Sequence, residues 1–159
     1  LLVRRFQDFF GAEGLSVDAA AFNAAYQARL GETAIPRDDS VALVTSLRGR
    51  VRQYVVSNGT VQAQTAKLRR SGLDRLMDGI FLSEKIGAEK PDIAFFDVVF
   101  AAIGPVAKEE VLIVGDSLTS DIQGGRNAGI QTCWYAPAGG ESPLPHHTIR
   151  DLHQVLALL

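Results

Sequence analysis

Val111-Leu112-Ile113-Val114-Gly115-Asp116-Ser117-Leu118-Thr119-Ser120-Asp121 is the stretch that decides how this chain folds. Four apolar residues in a row, three of them β-branched, read as a strand covered on both faces, as in a parallel sheet. A glycine and an acid follow at once, and a second acid stands five residues later where a helix begins. In open parallel sheets, ligands sit beyond the carboxyl ends of the strands. Asp116 and Asp121 are therefore candidate ligands for a hard cation such as Mg²⁺, which takes a few carboxylates together with phosphate. A plainer reading makes Asp121 a helix cap and leaves Asp116 to fill a turn.

Working outward from that strand, apolar runs alternate with helical periods from Val41 onward. Val41 to Leu47 is expected as a helix, Val51 to Val56 as a strand, and Thr60 to Arg70 as a helix ending at Gly72. Gly79-Ile80-Phe81-Leu82 reads as a second strand. Pro91 is expected as the first residue of a helix that buries Ile93, Phe96, Val99, Phe100 and Ile103. Asp121 to Ala128 reads as a helix stopped by Gly129, with Gly124 and Gly125 allowing close packing or equally marking a weak helix turn, and Ile130 to Tyr135 as a strand. A Gly- and Pro-rich loop follows from Ala136 to Pro145, and a helix from Ile149 to Leu159. Strands spaced by helices in this way predict an α/β fold, a three-layer Rossmann-like parallel sheet.

Residues 1–40 have a different texture. Leu2, Phe6, Phe9 and Phe10 recur at helical spacing, with breaks expected at Gly11 and Gly14. Ser16 or Asp18 is placed to cap a second helix running to Gly31. Pro36 and Arg37-Asp38-Asp39-Ser40 read as a linker or cap.

Two more strand ends carry chemistry. Ser57-Asn58-Gly59-Thr60 follows Val55-Val56 and opens a helix, so a hydroxyl and free backbone N–H groups converge as an anion cradle. The same turn could equally be ordinary N-cap chemistry. Lys90, in Ala88-Glu89-Lys90-Pro91, is a fixed cation able to offset carboxylates and a phosphoryl group. Read plainly it is a solvated lysine, yet a cation at a helix N-terminus opposes the dipole and needs something to hold it.

The totals exclude other classes. The chain has 159 residues, 47% hydrophobic and 21% charged, which suits a globular domain with a real core. A formal charge of −2 supplies no cationic footprint for nucleic acid or membranes, and Arg48, Arg50 and Arg52 read as a charged edge. The N-terminal residues lack the features of a signal peptide. One cysteine, Cys133, forbids an internal disulfide, and a cytoplasmic setting is the default expectation. Cys133 is expected in the core, and His146-His147 as solvated loop residues rather than metal ligands.

Taken in order, Ser57-Asn58-Gly59, Lys90-Pro91 and Gly115-Asp116-Ser117 with Asp121 resemble the second, third and fourth motifs of the haloacid dehalogenase superfamily. Ser71-Gly72-Leu73, Phe81-Leu82-Ser83-Glu84 and Thr132-Cys133-Trp134-Tyr135 are similar to its pyrimidine 5′-nucleotidase subgroup. The resemblance implies a HAD-like α/β core over 41–159 and the C-terminal part of a helical cap over 1–40. It implies a Mg²⁺-dependent phosphomonoesterase working through an aspartyl-phosphate, with nucleoside monophosphates as substrates. Within it, Ser57 and Lys90 are the catalytic candidates; Ser57, Asn58, Gly59 and Lys90 bind phosphate, and Asp116 and Asp121 serve the metal. The paired acids of the fourth motif separate this pattern from the metal-free dehalogenases.

The family's first motif, Asp-x-Asp-x-Thr after an apolar strand, is absent from these 159 residues, and Asp38-Asp39 follows no strand. The chain is therefore expected to be part of a longer protein, to lack the central strand of its sheet, and to show no turnover alone. Alternative readings are a phosphatase of sugar phosphates or phosphoglycolate, and a non-catalytic or receiver-like binding domain.

Overall fold

The computed structural model describes residues 2–159. Two helices come first, α1 (Arg4–Ala12) and α2 (Ala19–Glu32). Gly11 does not break α1, and Asp18 rather than Ser16 caps α2 by accepting the Ala20 and Ala21 N–H groups. Their contact is an aromatic cluster in which the Phe22 ring lies 4.8 Å from Phe6 and 5.1 Å from Phe10, edge to face. On its other side α2 packs along α4 (Val61–Ser71), where Gly31 permits the close approach: a β-carbon there would lie 2.9 Å from that of Ala66.

α3 (Ser40–Ser46) leads into β1 (Tyr54–Ser57), and α4 returns the chain to β2 (Gly79–Leu82), parallel to β1. After the one-turn α5 (Ser83–Ile86) comes α6 (Ile93–Ile103). Pro91 does not start α6. The Lys90–Pro91 bond is cis, and Asp92 caps the helix by accepting the Ala94 N–H. The register therefore differs from expectation: Phe95 is fully buried with Phe96 and Val99, while Ile93 is exposed.

β3 (Leu112–Gly115), β4 (Gln131–Tyr135) and β5 (His147–Ile149) form a second parallel sheet in that order. Between β3 and β4, one π-helical turn over Leu118–Ile122 runs into α7 (Gln123–Ala128), so the expected helix from Asp121 is in fact two pieces. Gly125 is the contact point of α7 with the sheet. A β-carbon on it would meet Ile113 Cγ2 at 2.5 Å and Thr132 Cγ2 at 2.6 Å. β5 was not expected, and the C-terminal segment is 3-10 rather than α-helical over Leu152–Leu158, held by an Asp151–Gln154 capping box. His146 is an exposed loop residue as expected, but its ring is also bonded, accepting the Thr132 N–H at 3.1 Å and pairing with the Thr132 hydroxyl at 2.9 Å, while His147 lies in β5.

Apolar clusters cover both faces of this second sheet. Leu43 and Leu47 pack with Cys133, Tyr135, Ile149 and Val155 on one face, and Phe95, Phe96 and Val99 with Ile113, Ala128 and Ile130 on the other. The arrangement is the expected three-layer α/β architecture. Burial pushes the Cys133 thiol up to about 11. Tyr135 donates to the Asp38 carboxylate in the segment before α3, and that hydrogen bond, with burial, raises its phenol above the ordinary value.

The sheet is not continuous. Among the described residues every strand pairing is parallel, but β1 pairs only with β2, and β3 only with β4. An apolar slot of about 610 Å³ lies between, lined by Tyr54 and Val56 of β1, Ile113 and Val114 of β3, Leu43 of α3 and Val99 of α6. Val114, expected to be covered on both faces, is 39% exposed because its strand borders this slot.

Candidate active site

The site is assembled at the carboxyl ends of β1 and β3, from turns that follow directly from strand geometry. Ser57 is the last residue of β1, and its Oγ accepts the Gly59 N–H at 3.1 Å. Thr60 caps α4, its hydroxyl accepting the Ala63 N–H at 3.3 Å. Asn58 ties this loop to the next by a two-way amide clamp. Its Nδ2 donates to the Lys90 carbonyl at 2.8 Å, and its Oδ1 accepts the Lys90 N–H at 2.9 Å.

Clamped in this way, Lys90 turns inward and is 6% exposed, so the solvated-lysine reading fails. Its Nζ donates to the Val56 carbonyl at 2.9 Å and to Asp121 Oδ1 at 2.5 Å. An ammonium has three donors, and no acceptor takes the third among the described residues. Asp121 is not a helix cap either, because Ser117 fills that place by accepting the Ser120 N–H. Its second carboxylate oxygen accepts the Ser117 N–H at 3.1 Å. Gly115 makes room for this, since a side chain there would collide with the Asp121 carboxylate. A buried ion pair of this kind needs further hydrogen bonds, and here the Val56 carbonyl supplies one to Lys90 and the Ser117 N–H one to Asp121, with one Lys90 N–H left over.

Asp116 stands apart. Its carbonyl accepts the Trp134 indole N–H at 2.9 Å, while its side chain is exposed and has no hydrogen-bond partner among the described residues. No group of three or more His, Cys, Asp or Glu that could hold a metal occurs among the described residues. A free carboxylate beside a buried acid still fits a magnesium ion, which keeps several waters and is held by one or two carboxylates plus phosphate oxygens.

The structure thus brings Ser57, Asn58, Gly59, Lys90 and Asp121 into one bonded network and sets Asp116 at its rim. Reading the sequence missed Glu84, whose carboxylate accepts the Val61 N–H at 2.6 Å in the first turn of α4. Glu84 follows the end of β2, so extending the strand-end rule to that strand would have found it. Gln27, which accepts the Thr60 hydroxyl at 2.9 Å, carried no such signal.

A parallel α/β fold with a hydroxyl-bearing turn, a buried lysine and acids at its strand ends has the place and the groups for an anionic ligand. The chain belongs to the haloacid dehalogenase-like hydrolase family, whose model matches residues 2–129. It is 34% identical over 151 residues to the pyrimidine 5′-nucleotidase YjjG of Escherichia coli, covering 93% of this chain and 67% of the relative. It is 37% identical over 138 residues to the pyrimidine 5′-nucleotidase PynA of Streptococcus pneumoniae, covering 86% and 58%. A magnesium-bound crystal structure of the HAD-hydrolase YfnB from Bacillus subtilis superposes with a TM-score of 0.92 at 35% identity, covering 99% of this chain and 70% of that one. No helix among the described residues is long and apolar enough to cross a membrane.

Proposed function

We propose that this chain is the greater part of a magnesium-dependent phosphomonoesterase that acts on pyrimidine nucleoside monophosphates. The observation that carries the reading is the buried Lys90–Asp121 pair, clamped to the Ser57 loop through Asn58. A buried cation with an unused N–H, beside a loop whose Thr60 N–H has no acceptor among the described residues, stabilises the spread charge of a phosphoryl group in transfer. The two pyrimidine 5′-nucleotidases among the relatives support the substrate class.

In this reading Ser57 Oγ and the Asn58 N–H bind the phosphoryl oxygens, the Gly59 N–H turns to them from Ser57 Oγ, and Lys90 offsets their charge. Asp116 would hold the metal, with Asp121 bracing it from behind; Mg²⁺ when bound supplies charge neutralisation at the phosphoryl oxygens. The nucleophile would be an aspartate that none of these 159 residues provides: it attacks phosphorus as the P–O ester bond breaks, the nucleoside leaves as its protonated hydroxyl, and water then hydrolyses the aspartyl-phosphate to orthophosphate. The slot between β1 and β3 is where its strand belongs, since a parallel apolar strand there would pair both free edges and bring its carboxyl end beside Ser57 and Asp116. Residues 1–40 would be the C-terminal part of the cap that selects substrates. A chain without that strand should not turn over.

A monophosphate screen on the gene product in full, with Mg²⁺ and with a chelator, tests this. UMP and dTMP should be hydrolysed at least about tenfold faster, in kcat/KM, than glucose 6-phosphate or phosphoglycolate. Equal rates would remove the nucleotide assignment, and undiminished hydrolysis under chelation would remove the metal.

A further inference from the structure

Helix α2 touches the phosphate loop through one polar side chain. Gln27 lies one turn before Gly31, on the same face, and that face is the one pressed against α4. Gln27 is 7% exposed, one turn from the close approach of Gly31 to Ala63 and Ala66. A buried amide is costly unless it is bonded, and its bond runs to Thr60: Oε1 accepts the Thr60 hydroxyl proton at 2.9 Å.

A threonine hydroxyl has a single proton to give. Given to Gln27, that proton leaves the oxygen lone pairs to accept the Ala63 N–H, so Thr60 is fixed as an acceptor facing into α4. The neighbouring donors are also assigned, because Gly59 N–H goes to Ser57 Oγ and Val61 N–H to Glu84. The N–H groups of Thr60 and Gln62 then have no acceptor among the described residues and remain available to an anion. Without Gln27 the hydroxyl would rotate, and the first turn of α4 would lose its fixed geometry.

We propose that Gln27 is a positioning residue for phosphate binding, which acts from α2 through the Thr60 hydroxyl to hold the first turn of α4 in shape. The proposal rests on the reading of Ser57–Thr60 as a phosphate cradle. It makes α2 part of the anion site although no atom of α2 need touch the anion.

The test is a double-mutant cycle on the full gene product, comparing Q27L, T60V and the pair, read by two measurements. Orthophosphate is titrated against the Gly59 amide signal, and hydrogen exchange is followed at the Ala63 amide. Q27L should weaken orthophosphate about fivefold and speed Ala63 exchange by a similar factor, the worth of one buried hydrogen bond. Neither effect should appear in the T60V background, and both should return with T60S, which keeps the hydroxyl. Q27M gives the same comparison if Q27L does not fold. Full additivity of Q27L and T60V, or Ala63 exchange unmoved by Q27L, would overturn the proposal. A wild-type protein whose Gly59 signal ignores orthophosphate, while Ala63 still responds to Q27L, would instead overturn the cradle reading.

Discussion

Lys90 has no long-range partner that its immediate sequence reveals. Glu89 and Pro91 flank it, and the plain expectation was a solvated side chain at a helix start. The structure shows why that fails: the helix starts at Ile93, and the Asn58 clamp fixes the Lys90 backbone so that its side chain points into the protein. The partner lies 31 positions away in a turn whose π-helical geometry has no local signature. Ser57 and Asp116, by contrast, were legible, because each follows an apolar run whose end is marked by the first polar residue. Removing one member of a buried ion pair leaves the other charge uncompensated, at about 3–5 kcal/mol. Lys90→Met should therefore lower the urea-derived stability by an amount of that order, and adding Asp121→Leu should restore much of it. Stability unchanged in Lys90→Met would mean that the pair is dispensable to the fold.

Among the elements, the parallel strands were readable because β-branched runs bounded by glycine and polar turns have few alternatives. β5 was not, since His147-Thr148-Ile149 is three residues long and follows a proline-rich loop; it exists through its pairing with β4 and the His146–Thr132 bonds beside it. The buried face of α6 was misread by the two residues separating Pro91 from Ile93, which exchanged Ile93 for Phe95 in the core. Gly124 and Gly125 could be read equally as packing positions or as a weak helix turn, and both lie at close contacts. Gly125→Ala should cost about 1–3 kcal/mol, because its methyl would press on Ile113 and Thr132, side chains of two adjacent strands. Gly11→Ala is the control within an α-helix. Nothing lies within 4 Å of its β-carbon, and a gain of about 0.5–1 kcal/mol is expected. Urea midpoints of the two variants measure the contrast.

At the scale of the molecule, the expected single sheet is two sheets with a slot between them. The strand edges that face the slot are where the strand proposed above would enter. Backbone N–H and C=O groups on a buried strand edge need partners. In residues 1–159 alone, amides on the slot-facing edges within 54–57 and 112–115 should exchange at rates typical of open backbone. In the gene product in full they should be protected by about a hundredfold or more, equivalent to roughly 2.7 kcal/mol or above. Exchange that is equally slow in both would show that no further strand enters the slot.

Lys90 also bonds both halves at once, holding the β1 carbonyl of Val56 on one side and Asp121, just after β3, on the other. A side chain that keeps two parts of a fold together is retained by selection for solubility and persistence as well as for turnover. A lineage that ceased to process phosphate esters would still be penalised for losing it. The lysine is therefore a poor marker of surviving activity among divergent descendants, and the exposed Asp116, which bears no comparable structural burden, is the position at which loss of catalysis should first show.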